Sequence, residues 1–361
     1  MRLDFLDLIF EGTDAGPRIA HPENAIFTSS AAAARELARL KEVATNSNNV
    51  TIKFDGEIAL FFGRDAQGQF FCSDKYMFPK GIQAKSPAEW LQYDQNKKSG
   101  TTRPDLYKKL ELIWPALEAS VQNIPVTFKG DLMFAGQRRL INGNYEFEGP
   151  TVKYSVQSTS PIGKLIKGKI GLIVVHGMNS GSWDGKTGII QGTPIAIIPP
   201  NFGSNFQSNT YDKATTDAIK TAETTLQQFG ETADSFFVNL GTTARGVFET
   251  FFNKTITNQT NLPIAQWLEQ NKPALYKKFV NGGETSQAGI AAVTAIYNAI
   301  YRLKFVLEQS FNGQIQGITQ GIKDKTGRVV APGGEGFVYS DANNNMVKLV
   351  GDNFRKHHFL K

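Results

Sequence analysis

The segment Lys53-Phe54-Asp55-Gly56 carries the residue types that most directly suggest chemistry in this chain. It sits in the apolar run Val50-Thr51-Ile52-Lys53-Phe54 and is followed by Ala59-Leu60-Phe61-Phe62, both strand-like patterns. A lysine among apolar strand neighbours loses hydration, which lowers its pKa. The neutral amine that results is a nucleophile. Asp55 shares the face of Lys53 because strand side chains alternate with period two, and Gly56 lets the backbone turn or approach a ligand closely. These are the parts needed to carry a nucleotide covalently on lysine. A surface lysine before a turn has the same pattern, so the segment gains meaning from three others.

Gly130-Asp131-Leu132-Met133 places an acid in a buried-strand pattern. Glu335-Gly336-Phe337-Val338 is an acid and a glycine entering an apolar strand, and Lys348 lies on the strand that returns from it. Nucleotidyl transfer to lysine needs such charges. Carboxylates hold a divalent metal on the phosphates, and a second cation neutralises charge developing on the attacked phosphate.

In this order the four motifs resemble those of the covalent lysyl-nucleotidyltransferase superfamily, the ATP-dependent DNA and RNA ligases and messenger-RNA capping enzymes. Among these, the chain is most similar to divergent ligase-like proteins of large tailed phages. The resemblance implies an α+β fold: a ligase-type nucleotidyltransferase domain of antiparallel sheets with flanking helices. It further implies that Lys53 attacks the α-phosphate of ATP, or of GTP, to form a lysyl phosphoramidate. Lys348 would contact that phosphate, and Glu335 and Asp131 would hold Mg²⁺, Asp131 alternatively the ribose. Thr51 would contact the base, with Asp55 and Gly56 completing the nucleotide site. The acceptor would be an RNA or DNA end. Family ligases usually have an arginine where Ile58 stands, and Arg64 or Lys75 is the substitute the sequence offers. Asp131 replaces the usual glutamate, and Val350 stands where a second lysine is frequent. The chain ends at Lys361 with no oligonucleotide-binding domain after the last motif, so self-nucleotidylation is a firmer expectation than end-sealing.

The elements that must position these residues follow from pattern. Ser29-Ser30 caps a helix from Ala31 to Lys41. Ile58–Phe62 and Gln69–Cys72 form a hairpin-type pair through Gly63–Gly68. A helix starts at Pro104 and should kink or break at Pro115. Ile124–Phe134 is a strand, Asn142-Gly143 a hairpin turn, and Ile170–Val175 a buried strand. From Tyr211 to Phe252 the texture becomes helical. Ile290, Val293, Tyr297, Ile300, Tyr301 and Val306 then recur at helical spacing, a core stripe. Strand texture returns after Arg328. The chain thus divides into 1–207, the first part of the core, 208–325, a helical insertion, and 326–361, the closing strands.

The 361 residues, 40% hydrophobic and 11% aromatic, suffice for one large or two smaller domains. No apolar run approaches the roughly 20 residues of a membrane span, acids interrupt the first apolar stretch at Met1–Asp7, and Cys72 is the only cysteine. A soluble, cytoplasmic protein without disulfides or thiolate metal clusters is expected, in the host cell if phage-encoded. The net charge of +6 suits phosphate-bearing partners.

Other segments carry less. Glu148-Gly149-Pro150-Thr151-Val152-Lys153 repeats the acid–glycine and valine–lysine pattern, but Pro150 would interrupt a central strand. Gly185-Lys186-Thr187 lacks a phosphate-loop glycine at Ser180. His176 could stack on a base, though a strand-end histidine is the plainer reading. His357-His358, Lys164, Lys167 and Lys169 read as solvated, and Cys72 as core. A different class of function also fits: a non-catalytic phage structural or interaction protein that keeps the fold and binds a protein partner through the helical insertion. Guanylyl transfer from GTP and AMP transfer to a protein are further alternatives.

Overall fold

The computed structural model describes residues 21–96, 103–121, 126–178, 194–202, 206–208, 212–341 and 345–359. Met1–Asp7, Gly185-Lys186-Thr187 and part of the final turn after Asp341 lie outside the described residues. The fold is mixed α+β, with several sheets and flanking helices. Its strands are β1 (Val50–Ile52), β2 (Ile58–Arg64), β3 (Phe70–Asp74), β4 (Phe128–Ala135), β5 (Leu140–Ile141), β6 (Asn144–Glu148), β7 (Val152–Gln157), β8 (Gly171–Met178), β9 (Ile195–Ile198), β10 (Ile318–Lys323), β11 (Val329–Pro332), β12 (Gly336–Ser340) and β13 (Met346–Val350). Its helices are α1 (Ser30–Thr45), α2 (Pro87–Gln95), α3 (Pro104–Ser120), α4 (Pro161–Ile166), α5 (Lys213–Leu240), α6 (Ala244–Ile256), α7 (Ile264–Asn271), α8 (Pro273–Asn281), α9 (Gly283–Asn312) and α10 (Asp352–Phe359).

Two compact units divide the chain. The first holds the described residues of Lys53–Ser204 and Gln316–Gly334, the second those of Ile19–Ile52, Asn205–Ile315 and Glu335–Lys361. The helices expected as an insertion therefore share a unit with α1, β1 and the closing strands, whereas β10 and β11 belong with the first unit.

The first unit contains two five-stranded sheets, ordered β3-β2-β4-β8-β9 and β11-β10-β7-β6-β5. All their pairings are antiparallel except β8 with β9, which run parallel. Leu60, Phe62, Cys72, Leu132, Ile173 and Val175 project from one face of the first sheet onto Trp90, Leu110, Ile113 and Leu117 of α2 and α3. Each such fully buried large side chain contributes about 1.5–3 kcal/mol. Cys72 is a core residue there, its thiol pushed up by burial. Helix α3 runs through Pro115 without ending. Pro115 is exposed, so the carbonyl four residues earlier, deprived of its helical donor, faces the solvent side. At the β5–β6 hairpin, Asn142 and Gly143 both have positive φ, 48° and 80°, as a two-residue turn of this hand requires.

In the second unit α1 begins as its sequence indicates, with the Ser29 side chain accepting a hydrogen bond from the Ala32 amide at 3.0 Å. Helices α5 and α9 pack closely because Gly289 has no side chain: a Cβ there would lie 2.4 Å from the Phe236 ring. Val293, Tyr297, Ile300 and Val306 of the α9 stripe are buried. This helix is long and apolar enough, by length and composition alone, to cross a membrane, yet its apolar stripe is spent on its own unit. Phe27, Phe237, Phe252 and Tyr297 meet edge-on or tilted with ring centroids 4.8–6.3 Å apart, a favourable aromatic geometry.

Beside these rings the second unit buries a charged group. The Glu23 carboxylate accepts hydrogen bonds from the Lys304 ammonium at 2.5 Å and the Arg355 guanidinium at 2.9 Å, and all three are almost fully buried. Burial alone would raise the Glu23 carboxyl, but Lys304, His21 and Arg355 outweigh it and hold it at about 2. Removing the anion leaves two buried cations without their partner, so Glu23→Ala should cost about 3–5 kcal/mol in denaturant unfolding. The folded-state value lies below the ordinary 4.5. The pairing therefore contributes fully above about pH 5 and is lost as pH falls toward 2. Unfolding monitored by circular dichroism from pH 7 downward should show stability dropping in that window, and a flat profile would contradict it.

Candidate active site

Lys53 follows β1 directly and opens a short extended connection to β2. Each residue after it is fixed by a separate contact. Phe54 is buried with its ring 5.7 Å from that of Tyr154, which stacks in turn on Phe147. The Asp55 amide donates to the Tyr154 hydroxyl at 2.6 Å. The Asp55 carboxylate accepts from the amides of Thr151 and Val152 at 2.6 and 3.0 Å. Gly56 presses on β4: a Cβ there would stand 2.5 Å from the Cβ of Asp131.

Asp55 is thus a structural clamp on the turn between β6 and β7. That turn is the second acid–glycine segment of the sequence. Its Gly149 is required, because a Cβ would fall 1.7 Å from the Asp55 carbonyl oxygen. Pro150 interrupts no ladder, since β6 ends at Glu148 and β7 begins at Val152. Glu148 itself pairs with Lys323 at 2.9 Å.

With the segment held, the Lys53 ammonium acts on Asp131 of β4. Lys129, two residues earlier on the same strand face, acts on it too, and the His176 Nε2 lies 3.5 Å from its carboxylate. Burial raises the Asp131 carboxyl, but His176, Lys53 and Lys129 together carry it below its usual range. His176 reaches this position through a β-bulge. Lys129 pairs with Gly177 and Gly130 with Val175, leaving His176 as the extra residue of β8. A bulge of this kind re-aims a side chain. Both Lys129 and His176 lie outside the set of site residues read from sequence. The period-two rule applied to Asp131 would have found Lys129, whereas nothing in the sequence marks the bulge.

Thr51, Glu335 and Lys348 belong to the second unit. There β1, β12 and β13 form one antiparallel sheet in which Thr51 pairs with Val338 and Val338 with Lys348. Two residues far apart in sequence therefore share one row and one half-exposed face, and the Thr51 hydroxyl donates to the Val338 carbonyl at 3.2 Å. Glu335 immediately precedes β12. Gly336 has φ of 121°, and a Cβ on it would meet the Leu349 carbonyl oxygen at 2.1 Å, so the acid–glycine motif needs its glycine for backbone reasons. Lys348, with Arg355 and Lys304, also adds to the burial that lowers His21.

Of the two proposed substitutes for the missing arginine, Arg64 is committed elsewhere. Its guanidinium donates to the carbonyls of Gly68, Val121 and Glu118 at 2.8, 3.3 and 3.4 Å. Lys75 lies in the turn after β3 with its ammonium 5.2 Å from the Tyr76 ring centroid. Lys164 and Lys167 are exposed, His357 is half-buried on α10, and the His358 side chain lies outside the described residues.

A model of a family of unknown function, DUF6267, matches residues 18–359. The chain belongs to this family. No curated protein and no solved structure matches it. The matched range covers both units, the α5–α9 helices included.

As a resident metal site the first-unit residues do not fit. Asp131 is a single carboxylate facing two lysines and a histidine. Among the described residues, no group of three or more His, Cys, Asp or Glu is placed to hold an ion. The surplus of positive charge suits phosphate oxygens instead.

Asp55→Ala leaves two backbone amides without their acceptor and should cost about 2–3 kcal/mol. Gly149→Ala forces the two segments apart for a similar cost of about 1–3 kcal/mol. Denaturant unfolding of both and of the double variant should show losses that fall short of additive, because each breaks the same contact.

Proposed function

We propose that the chain is a covalent lysyl-nucleotidyltransferase of ligase type, with Lys53 as the nucleophile. The observation that carries this reading is the cluster around Asp131. A lysine on a rigidly held segment lies within electrostatic reach of a half-buried carboxylate, and a second lysine and a histidine stand on the same strand pair. The four motifs and their order support it independently, as does the pairing of β12 with β13, which join the acid–glycine motif to Lys348.

In this reading the Lys53 amine, having shed a proton to solvent, attacks the α-phosphorus of ATP or GTP. The nitrogen–phosphorus bond forms as the bond from that phosphorus to the bridging oxygen breaks, and pyrophosphate leaves. Asp131 orients the Lys53 side chain. Lys129 places positive charge, and His176 a ring nitrogen able to donate a hydrogen bond, where the phosphate oxygens gain negative charge, an effect whose removal costs a hundredfold or more (roughly 10²–10³) in comparable sites. Magnesium belongs to this reading as an ion that travels with the triphosphate, the usual manner of Mg²⁺ at nucleotide sites. Transfer of the nucleotide from Lys53 to a polynucleotide end would complete a ligase cycle.

A second reading, a nucleotide-binding or scaffolding protein without transfer, is favoured by the use of Asp55 as a clamp and by the lack of a metal-ligand group among the described residues. Incubation with α-³²P-labelled ATP or GTP and Mg²⁺, followed by denaturing electrophoresis, separates the two. Acid-labile, alkali-stable label is expected on the wild type. It should be absent from Lys53→Ala and from Lys53→Arg, which keeps the positive charge, and reduced at least about tenfold in rate in Lys129→Ala and His176→Asn. A wild-type chain that takes no label from either nucleotide would sink the transferase reading in favour of the scaffold.

A further inference from the structure

The turn from β3 to α2 places aromatic and basic groups together at the end of the sheet that carries Asp131. Between Lys75 and Ala88 the sequence has three lysines and no acid. The register fixes where this stretch leaves the sheet. Leu60 of β2 pairs with Asp74 on one side and Gly130 on the other, and Ala59 pairs with Asp131. With neighbouring strands about 4.8 Å apart, Lys75 departs from β3 roughly two strand spacings from Asp131. This is the same end of the sheet at which Lys53–Gly56 enters.

The turn is held rigidly. The Asp74 carboxylate accepts from the amides of Tyr76 and Met77 at 2.8 and 2.9 Å, and is itself braced by Arg103 at 3.1 Å. Met77 is fully buried. The Phe78 ring stacks on Phe61 at 4.6 Å and 5° and on Phe71 at 6.1 Å and 12°. Phe61 lies on the face of the sheet that bears Lys129, its cross-strand partner. Gly81, with φ of 72°, ends the turn. What this scaffold presents outward is Tyr76, 51% exposed. The Lys75 ammonium lies over its ring, and Lys80 is tethered by a 3.5 Å contact to Tyr93, whose hydroxyl donates to the Tyr76 carbonyl at 3.2 Å.

We propose that the Lys75–Lys80 turn is a binding surface for single-stranded polynucleotide, with a base stacked on Tyr76 and the flanking phosphates met by Lys75 and Lys80. An exposed aromatic ring recognises any base by its π-face, and lysines beside it track the phosphodiester backbone. The turn's rigidity means that little ordering cost is incurred on binding. The identity of the strand as the acceptor of a nucleotide from Lys53 rests on the function proposed above; the binding itself does not.

The test is fluorescence anisotropy of the full chain with fluorescein-labelled 12-nucleotide single strands, one arm RNA and one DNA, over a range of salt. Tyr76→Ala should weaken binding about tenfold, whereas Tyr76→Phe, which keeps the ring, should bind as the wild type does. Lys80→Glu should weaken binding and flatten the dependence of log K on log salt by about 0.7 or more. Circular dichroism melts verify that the variants fold. No binding of either strand by the wild type, or unchanged binding in both Tyr76→Ala and Lys80→Glu, overturns the proposal. Labelling of Lys53 uses no polynucleotide, so the two readings fail separately. Strand binding that depends on Tyr76 without Lys53 label defeats only the chemistry, and label without such binding defeats only this surface.

Discussion

The contact between Asp55 and the turn joining β6 to β7 governs the first unit. A carboxylate that accepts two backbone amides is a charge-assisted bond at each oxygen–nitrogen contact, stronger than a neutral pair. It is available only because Gly149 offers no side chain where the Asp55 carbonyl passes. The contact joins a strand-to-strand connection at one end of the chain's first sheet to the central hairpin of the second. Everything placed between them inherits that rigidity: the Phe54–Tyr154–Phe147 ring stack, the close approach of Gly56 to Asp131, and the position of Lys53. A nucleophile needs its reacting atom held within a fraction of an ångström, and a flexible lysine side chain profits from a backbone that does not move.

The second unit solves a different problem. Its helices bury a mixed set of aromatic rings and a carboxylate with two cations, and the Lys304 ammonium also lies 4.8 Å from the Tyr301 ring centroid. Such groups add little net stability compared with apolar packing, but they are intolerant of mispairing. Glu23 lies on a short 3₁₀ helix, Pro22–Phe27, before α1, Lys304 on α9 and Arg355 on α10. The three charges meet in one arrangement of these elements, so the cluster specifies that arrangement as much as it strengthens it.

Much of the fold was legible. Apolar runs and strand texture marked β2, β8, β12 and β13, the Ser29 cap marked α1, and the helical stripe of α9 announced a buried face. The site was legible in its types and less so in its connections. Thr51, Asp131 and Lys348 were recognisable from strand patterns because they lie on regular strands, and Lys53 because it directly follows one. The hydrogen bonds that Asp55 accepts went unread because their donors are backbone amides nearly a hundred residues away, which no local pattern encodes. His176 gave no sign of its position because a bulge depends on the register of two strands and not on composition. Pro115 suggested a kink that does not end the helix, since its exposed side leaves the freed carbonyl to water. The parallel pairing of β8 and β9 also escaped a reading that expected only antiparallel sheets.

Neither unit is a contiguous piece of chain. The second is assembled from three stretches, and its small sheet pairs β1, near residue 50, with strands close to residue 340. Contacts of that sequence separation form only after a large loop has closed, which makes folding slow relative to a protein of local contacts. No single cut yields either unit whole, and fragments ended at Ile52 or begun at Lys53 would each separate β1 from the residues that follow it. Lys53 stands at the first of these crossings among the described residues. The strand that leads into the residue proposed to carry the chemistry is thus one that can pair only once the chain has been synthesised past residue 339.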